Sequence, residues 1–132
     1  MAWHRIWLER ARTPDFNGAA QGFEMTAPLD ERSVLDVLAW GAAKEKATVR
    51  RLSDGEAEAV GILERTFDGN WMFSCAPRGH ESALRFRLKA DRLAVGDYVS
   101  IGGPNGETLP FRIVSATPAE ESTRPEILPR TR

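Results

Sequence analysis

The fold class is decided by three stretches in the last third of the chain: Leu84-Arg85-Phe86-Arg87-Leu88, Asp97-Tyr98-Val99-Ser100-Ile101 and Leu109-Pro110-Phe111-Arg112-Ile113-Val114. In the first stretch, apolar and cationic residues alternate with the period of two that is typical of a half-buried strand. The Gly102-Gly103-Pro104-Asn105-Gly106 run between the second and third stretches is a turn signal. The pattern predicts a compact antiparallel sheet or barrel, and it argues against a helical bundle or a nucleotide-binding α/β domain.

Strand patterns continue towards the N-terminus. Five further segments show them: residues 3–11, 21–27, 48–52, 59–65 and 71–75. Asn17-Gly18 and Asp68-Gly69 each separate two of these segments and predict tight hairpin turns. The fold class is therefore mainly β (α+β), a small antiparallel β-barrel or strongly twisted sheet of about seven strands with one short helix. Closure into a barrel is favoured because an open sheet leaves its edges unpaired.

The segment from Asp30 to Lys46 is predicted to form the one helix. Val34, Leu38 and Ala42 form an apolar stripe at helical spacing. Asp30 or Ser33 provides a capping side chain, whereas Gly41 weakens the middle of the helix.

Length and composition indicate one ordinary globular domain. The chain has 132 residues, of which 42% are hydrophobic and 28% charged, enough to build a core without a metal or a disulfide. We predict a single β-rich domain over residues 1–117. Residues 118–132 have no periodic apolar pattern and contain three prolines, so they are predicted to form a disordered tail.

Charge and cysteine content restrict the function and the compartment. Lys and Arg total 18 against 19 Asp and Glu, a formal charge of −1, which differs from the basic balance of dedicated nucleic-acid binders. Cys75 is the single cysteine, so no intramolecular disulfide is expected and a cytoplasmic location is favoured. The N-terminal residues lack a signal-peptide core, and no window reaches about 18 uncharged apolar residues, so no membrane contact is expected.

The candidate interaction surface combines cations and aromatic rings. It consists of Trp3, Arg5, Trp7, Arg50, Arg51, Arg85, Arg87 and Lys89. If their strands are neighbours, the cations lie beside exposed rings, the combination by which small barrels bind single-stranded nucleic acid. The alternative is that the cations form the ordinary polar face of a half-buried sheet, and that the predicted helix covers Trp3 and Trp7.

A second group, Cys75, His80 and Glu81, raises the question of a metal or nucleophilic site. A closed zinc site needs four ligands, and no second ligand pair stands at a recognised spacing. The favoured interpretation is that Cys75 is a half-buried residue that ends a core strand and that His80 is a polar loop residue. No phosphate-binding loop or Ser-His-Asp order is present either, so we predict no metal and no catalytic residue, and an enzyme is disfavoured.

The order of features resembles that of a group of small proteobacterial proteins with no assigned activity. Six segments carry the resemblance: Trp3–Ile6, Ala27–Asp30, Val49–Leu52, Gly69–Phe73, Val95–Ile101 and Phe111–Val114. The resemblance spans roughly residues 2–117 and implies one domain. It implies no site residues, because no activity accompanies it.

Residues 95–101 also resemble a strand of the flavin-binding barrels of ferredoxin reductases. Those barrels carry an Arg-x-Tyr-Ser/Thr motif just beyond this strand, where the present chain has Gly-Gly-Pro-Asn-Gly-Glu. A Gly-Asp turn that enters a β-rich run is common in barrels for reasons of turn chemistry. No cofactor is therefore expected.

Taken together, the sequence favours a small non-catalytic binding or interaction module built on a β-barrel. Its partner is another protein or a second copy of the chain. The alternative is a small barrel that binds single-stranded nucleic acid, and a protein that binds flavin or another cofactor comes third.

Overall fold

The computed structural model describes residues 2–11, 21–54, 56–77, 83–90 and 92–119. It contains a closed barrel of eight antiparallel strands, and each strand pairs with its neighbours in the chain, while the last strand returns to the first. The strands are β1 (Ala2–Arg10), β2 (Gln21–Leu29), β3 (Thr48–Ser53), β4 (Glu56–Arg65), β5 (Trp71–Pro77), β6 (Leu84–Lys89), β7 (Tyr98–Gly102) and β8 (Thr108–Pro118). The predicted fold class is confirmed, with eight strands instead of about seven.

The core fills the inside of the barrel because alternate side chains of every strand point inwards. Four phenylalanines form its centre, with Phe23 in contact with the other three at ring-centroid distances of 4.9 to 5.6 Å. The other three are Phe73, Phe86 and Phe111. Tilted and edge-on ring contacts of this kind stabilise a core beyond their buried area.

The predicted helix over 30–46 is much shorter in the structure. The α-helix α1 covers only Val37–Ala42, and a single 3₁₀ turn follows at Lys44–Lys46. Asp30 does not cap a helix, because its carboxylate accepts the backbone N–H groups of Arg32 and Val34 and closes a turn. Ser33 then takes a left-handed backbone conformation with φ of 65°, which a helix does not allow. Asp36 provides the helix cap instead.

Strand β2 continues two residues beyond its predicted end at Ala27. β3 pairs only with Gln21–Met25, so beyond Met25 the β3 side of β2 takes part in no ladder. Pro28, which has no N–H to donate, is tolerated there for this reason. The segment after the strand folds back over this edge. There, the N–H of Asp36 donates to the carbonyl of Pro28, and Leu35 forms a bridge with Leu29.

Two parts of the predicted organisation fall outside the described residues. They are the Asn17-Gly18 turn and the tail over 118–132, of which only Pro118 and Ala119 are described. The hairpin on either side of the first turn is confirmed by the pairing of β1 with β2. No helix among the described residues has the length and apolar character needed to cross a membrane.

Candidate functional site

The outer face of β6 carries the candidate site. Arg85, Arg87 and Lys89 point outwards and are exposed, whereas Phe86 and Leu88 between them are only 6% and 5% exposed. Alternate residues of a strand lie about 6.8 Å apart, so the three cations form a regular row. The alternation in the sequence predicted this arrangement.

Two glycines, Gly102 and Gly103, border the cation row on the β7 side, and we call this pair the glycine shelf. Gly102 pairs with Arg87, and a Cβ on Gly102 would lie 3.7 Å from the Cβ of Arg87. The neighbouring Gly103 lies under the Glu107 side chain, because a Cβ there would be 2.5 Å from the Glu107 Cδ. The missing side chains leave a cavity of about 280 Å³ between the row and the turn after β7.

A second cavity, of about 510 Å³, lies beyond Lys89 and adjoins the first one. Its walls include Asn70, Trp71 and Tyr98, and the Tyr98 side chain is 69% exposed. The Trp71 ring is held by two neighbours: the guanidinium of Arg65 lies 4.7 Å from the ring centroid, and the Trp40 ring meets it edge-on at 5.4 Å. The two cavities share Lys89 and make up what we call the β6 groove.

The β6 groove lies along the shortest ladder of the barrel. Only three residue pairs join β6 to β7, from Arg87 with Gly102 to Lys89 with Ser100. By contrast, eight pairs join β1 to β2. On the side of β6 that faces β7, Leu84, Arg85 and Phe86 have no strand partner among the described residues. Both cavities lie beside this short ladder.

The charges in the β6 groove are only partly compensated. The Arg85 guanidinium lies 3.4 Å from a Glu64 carboxylate oxygen. The pKa of the Asp68 carboxyl is lowered, mainly by a hydrogen bond donated by the Thr66 hydroxyl and to a lesser degree by the positive charge of Arg87. Lys89 forms no ion pair with any described residue. An exposed cation without a partner is available to an anionic ligand at little cost.

Arg5 and Arg50, also predicted for the surface, lie elsewhere on the barrel. Both point outwards and share the carboxylate of Glu24, with the Arg5 Nε 4.0 Å from one of its oxygens and Arg50 hydrogen-bonded to the other. Because β1 and β3 flank β2, and β2 lies across the barrel from β6, these two cations do not join the β6 groove.

Arg51 lies inside the rim of the barrel, at the end away from α1. Its guanidinium stacks over the Phe86 ring at 5.2 Å and lies 3.9 Å from a Glu58 carboxylate oxygen. The register of β3 against β4 shifts between Arg51 and Leu52, as in a β-bulge. Because neighbouring residues of a strand point to opposite faces, one of Arg50 and Arg51 was expected to point outwards. In the structure it is Arg50.

The two tryptophans of β1 are largely covered. Trp3 is 7% exposed, and the Lys46 ammonium lies 4.8 Å from its ring centroid. Trp7 is half-buried and its ring lies against Gly22, where a Cβ would come within 2.7 Å of the indole. The predicted cover by the helix is met for Trp3 by Lys46 of the 3₁₀ turn that follows α1. Neither ring reaches the β6 groove.

Cys75 is not placed to act as a nucleophile. Its side chain is 1% exposed, and burial raises the pKa of the thiol to about 11, which keeps the thiol protonated at neutral pH. The two residues proposed beside it, His80 and Glu81, lie outside the described residues. Among the residues that are described, no three metal-ligating side chains lie together.

A cavity of about 590 Å³ lies at the α1 end of the barrel, beside His4 and Asp30. Two of its polar side chains, His4 and Asp30, already have partners within the protein. The His4 Nδ1 is 3.0 Å from the carbonyl of Ala2, and one oxygen of Asp30 accepts two backbone N–H groups. The β6 groove, where Lys89 forms no ion pair within the described part of the chain, is therefore the stronger candidate site.

The sequence analysis missed the residues that give the β6 groove its shape. Tyr98 and Trp71 were available as signals, because each stands at the end of a strand next to a turn. The Gly102-Gly103 pair was interpreted only as a turn, although Gly102 is also the last residue of β7. The short ladder between β6 and β7 has no sequence signal, since it depends on how far two strands run side by side.

Comparison with known proteins gives no match: no protein family, no curated protein and no solved structure is similar to this chain. The resemblance to the proteobacterial group therefore stays a prediction, and the function has to be argued from the β6 groove alone.

Proposed function

We propose that this protein is a non-catalytic binding module that holds an extended anionic ligand in the β6 groove. The observation that carries the proposal is that the row of Arg85, Arg87 and Lys89 lies beside the glycine shelf. A row of cations at strand spacing matches a chain of anionic groups better than it matches a single small anion.

The shape of the β6 groove supports a ligand that lies on the surface. The inside of the barrel is filled by the phenylalanine cluster, so a ligand has no room there. The β6 groove has two open cavities in line, of about 280 and 510 Å³, and they share Lys89 as a common wall. A ligand long enough to contact all three cations would lie in both.

Single-stranded nucleic acid is the second candidate ligand. Tyr98 is exposed at the end of the cation row, and bases stack on such rings while cations neutralise phosphates. Against it stands its charge density: Glu64, Asp68 and Glu107 lie close to the cations and lower the local potential for every anionic ligand, and a polynucleotide carries a charge on each residue. The affinity expected for nucleic acid is correspondingly modest.

The proposal is tested by titrating the full chain with an acidic peptide and with oligothymidylate, each at low and at high salt. Arg87→Gln combined with Lys89→Gln removes the two cations of the row that have no carboxylate within ion-pairing distance among the residues that the structure describes. We expect this double variant to weaken binding at low salt by about fivefold or more, since each exposed contact contributes up to about 1 kcal/mol.

Arg5→Gln combined with Arg50→Gln is the matched control. It removes the same charge from the outer face, but on the other side of the barrel. Affinity should change only slightly. Equal losses in the two double variants would show that binding follows net charge alone, and the absence of binding to either anionic chain would overturn the proposal.

A further inference from the structure

The short ladder between β6 and β7 leaves part of a strand edge open. Leu84, Arg85 and Phe86 pair with β5 on one side and have no described partner on the other. In an antiparallel strand the backbone groups of successive residues point alternately to the two sides. At least one residue of the three therefore directs its N–H and C=O into the β6 groove.

The unpaired flank of β2 is covered. Beyond Met25, β2 has no β3 partner, but the segment around Leu35 and Asp36 folds over that edge and forms a bridge and a hydrogen bond with it. No described segment does this for the open flank of β6. An open flank is a template for a further strand, which closed barrels otherwise avoid.

The side chains around the open flank specify the chemistry of such a strand. Arg85 is the outward residue of the open flank, so an added strand would face this cation directly, with Arg87 as the diagonal neighbour on the same face. Leu84 belongs to the inward set of residues and is still 36% exposed, so the inward residues of that strand would find an apolar neighbour. Opposite charges on directly facing residues stabilise strand pairs.

Space for an added strand exists where the open flank lies. The cavity of about 280 Å³ there is bordered by Gly102 and Gly106, where glycine allows another backbone to approach closely, and by Gly103, which the Glu107 side chain covers. A polynucleotide could use the cations as well, but it has no row of amides to pair with the backbone of β6. The combination of an open edge, a cation row and a glycine shelf fits a polypeptide.

We infer that the ligand of the β6 groove is an acidic polypeptide segment that adds to the open flank of β6 as a strand, with acidic residues alternating with apolar ones. The inference rests on the proposed function and names the class of partner for the same site. Main-chain hydrogen bonds give such complexes their affinity, and the alternating side chains give them their specificity.

The experiment compares two short capped peptides of alternating Glu and Val that carry the same charge. One has an ordinary backbone, and its twin is N-methylated at alternate residues so that it cannot pair as a strand. We expect the twin to bind about tenfold more weakly, because it loses main-chain hydrogen bonds to the open flank of β6. Hydrogen exchange of the full chain should slow on binding at amides within Leu84–Phe86, but not in the strands on the other side of the barrel.

The outcomes separate this inference from the proposed function. Equal binding of the two peptides, unchanged exchange over Leu84–Phe86, or binding of oligothymidylate alone would overturn strand addition and leave an anionic ligand in the β6 groove. If neither peptide nor oligothymidylate binds, the proposed function fails together with the inference. Tight binding of the ordinary peptide alone, with local protection, supports both.

Discussion

At the scale of single residues, Gly61 marks the closest approach between two strands. It points into the barrel from β4, and a Cβ there would lie 2.7 Å from the carbonyl carbon of Ser74 and 2.8 Å from the Cα of Cys75. Both neighbours are backbone atoms of β5, so they cannot move aside without a shift of the strand. The position therefore requires glycine for lack of space, although its φ is not positive.

We expect Gly61→Ala to destabilise the protein by about 2 kcal/mol or more, at the upper end of the usual cost of overpacking. Gly41→Ala is the matched control, because no atom lies within 4 Å of a Cβ at that position of α1. The control should be neutral or stabilising by about 0.5–1 kcal/mol. Chemical denaturation followed by tryptophan fluorescence measures both, and equal stability of the two variants would contradict the close approach.

The Cys75 thiol gives a second prediction at this scale. Since burial raises its pKa to about 11, the folded protein holds the thiol proton more tightly than the unfolded chain does. The resulting stabilisation is complete below the ordinary thiol pKa of about 8.5 and disappears as the pH rises through the raised pKa. We expect the free energy of unfolding of the wild type to fall across this window more steeply than that of Cys75→Ala.

Thiol reactivity provides the complementary measurement for Cys75. A thiol reagent at neutral pH should react slowly with the native protein and at the ordinary rate after denaturation, because the side chain is 1% exposed. Rapid reaction in the native state would contradict the burial of this residue.

At the scale of elements, α1 depends on one side chain for its position. None of its residues is buried, and a helix of six residues is too short to be stable by itself. The Trp40 indole N–H donates to the carbonyl of Leu63 over 3.1 Å, and its ring packs edge-on against Trp71. These contacts tie the segment between β2 and β3 to the barrel.

We expect Trp40→Phe to lower the free energy of unfolding by about 1 kcal/mol, through loss of one hydrogen bond with the ring contact partly kept. Hydrogen exchange should rise locally in α1 while β1 keeps its protection. Leu38→Ala is the control on the same helix, because its side chain is 86% exposed, and it should change neither measurement. Equal effects of the two variants would show that Trp40 does not fix the helix.

At the scale of the whole molecule, the strength of the ladders differs around the barrel. The ladder between β6 and β7 has three residue pairs, whereas β1 pairs with β2 over eight and with β8 over seven. Local openings start where few contacts have to be broken. The β6 groove is therefore also the place where the barrel should open first.

We expect amides that bridge β6 and β7, within residues 87–89 and 100–102, to exchange faster in the free protein than those between β1 and β2. Native-state hydrogen exchange at increasing denaturant measures the order of opening. Uniform protection around the whole barrel, with a single global opening, would contradict this prediction.

The sequence by itself determined the strands and the class of fold, although not the extent of the helix. Alternation such as that of Arg85, Phe86 and Arg87 assigns each side chain to the inside or the outside, because strand geometry has a period of two. Turn residues such as Asp68-Gly69 placed the hairpins, since few residues accept the backbone angles of tight turns. Both signals involve residues that are close together in the chain, so the sequence alone is sufficient to predict the strands and the turns.

Only the tertiary structure decided which local features meet. The sequence grouped six cations and two tryptophans as one surface. Closure of the barrel instead puts Arg5 and Arg50 opposite β6, buries Trp3 and directs Arg51 into the rim. Closure likewise shortened the ladder between β6 and β7 and opened the β6 groove. The position of a strand around a barrel depends on strand number, register and curvature together. None of these is a property of a single segment of sequence.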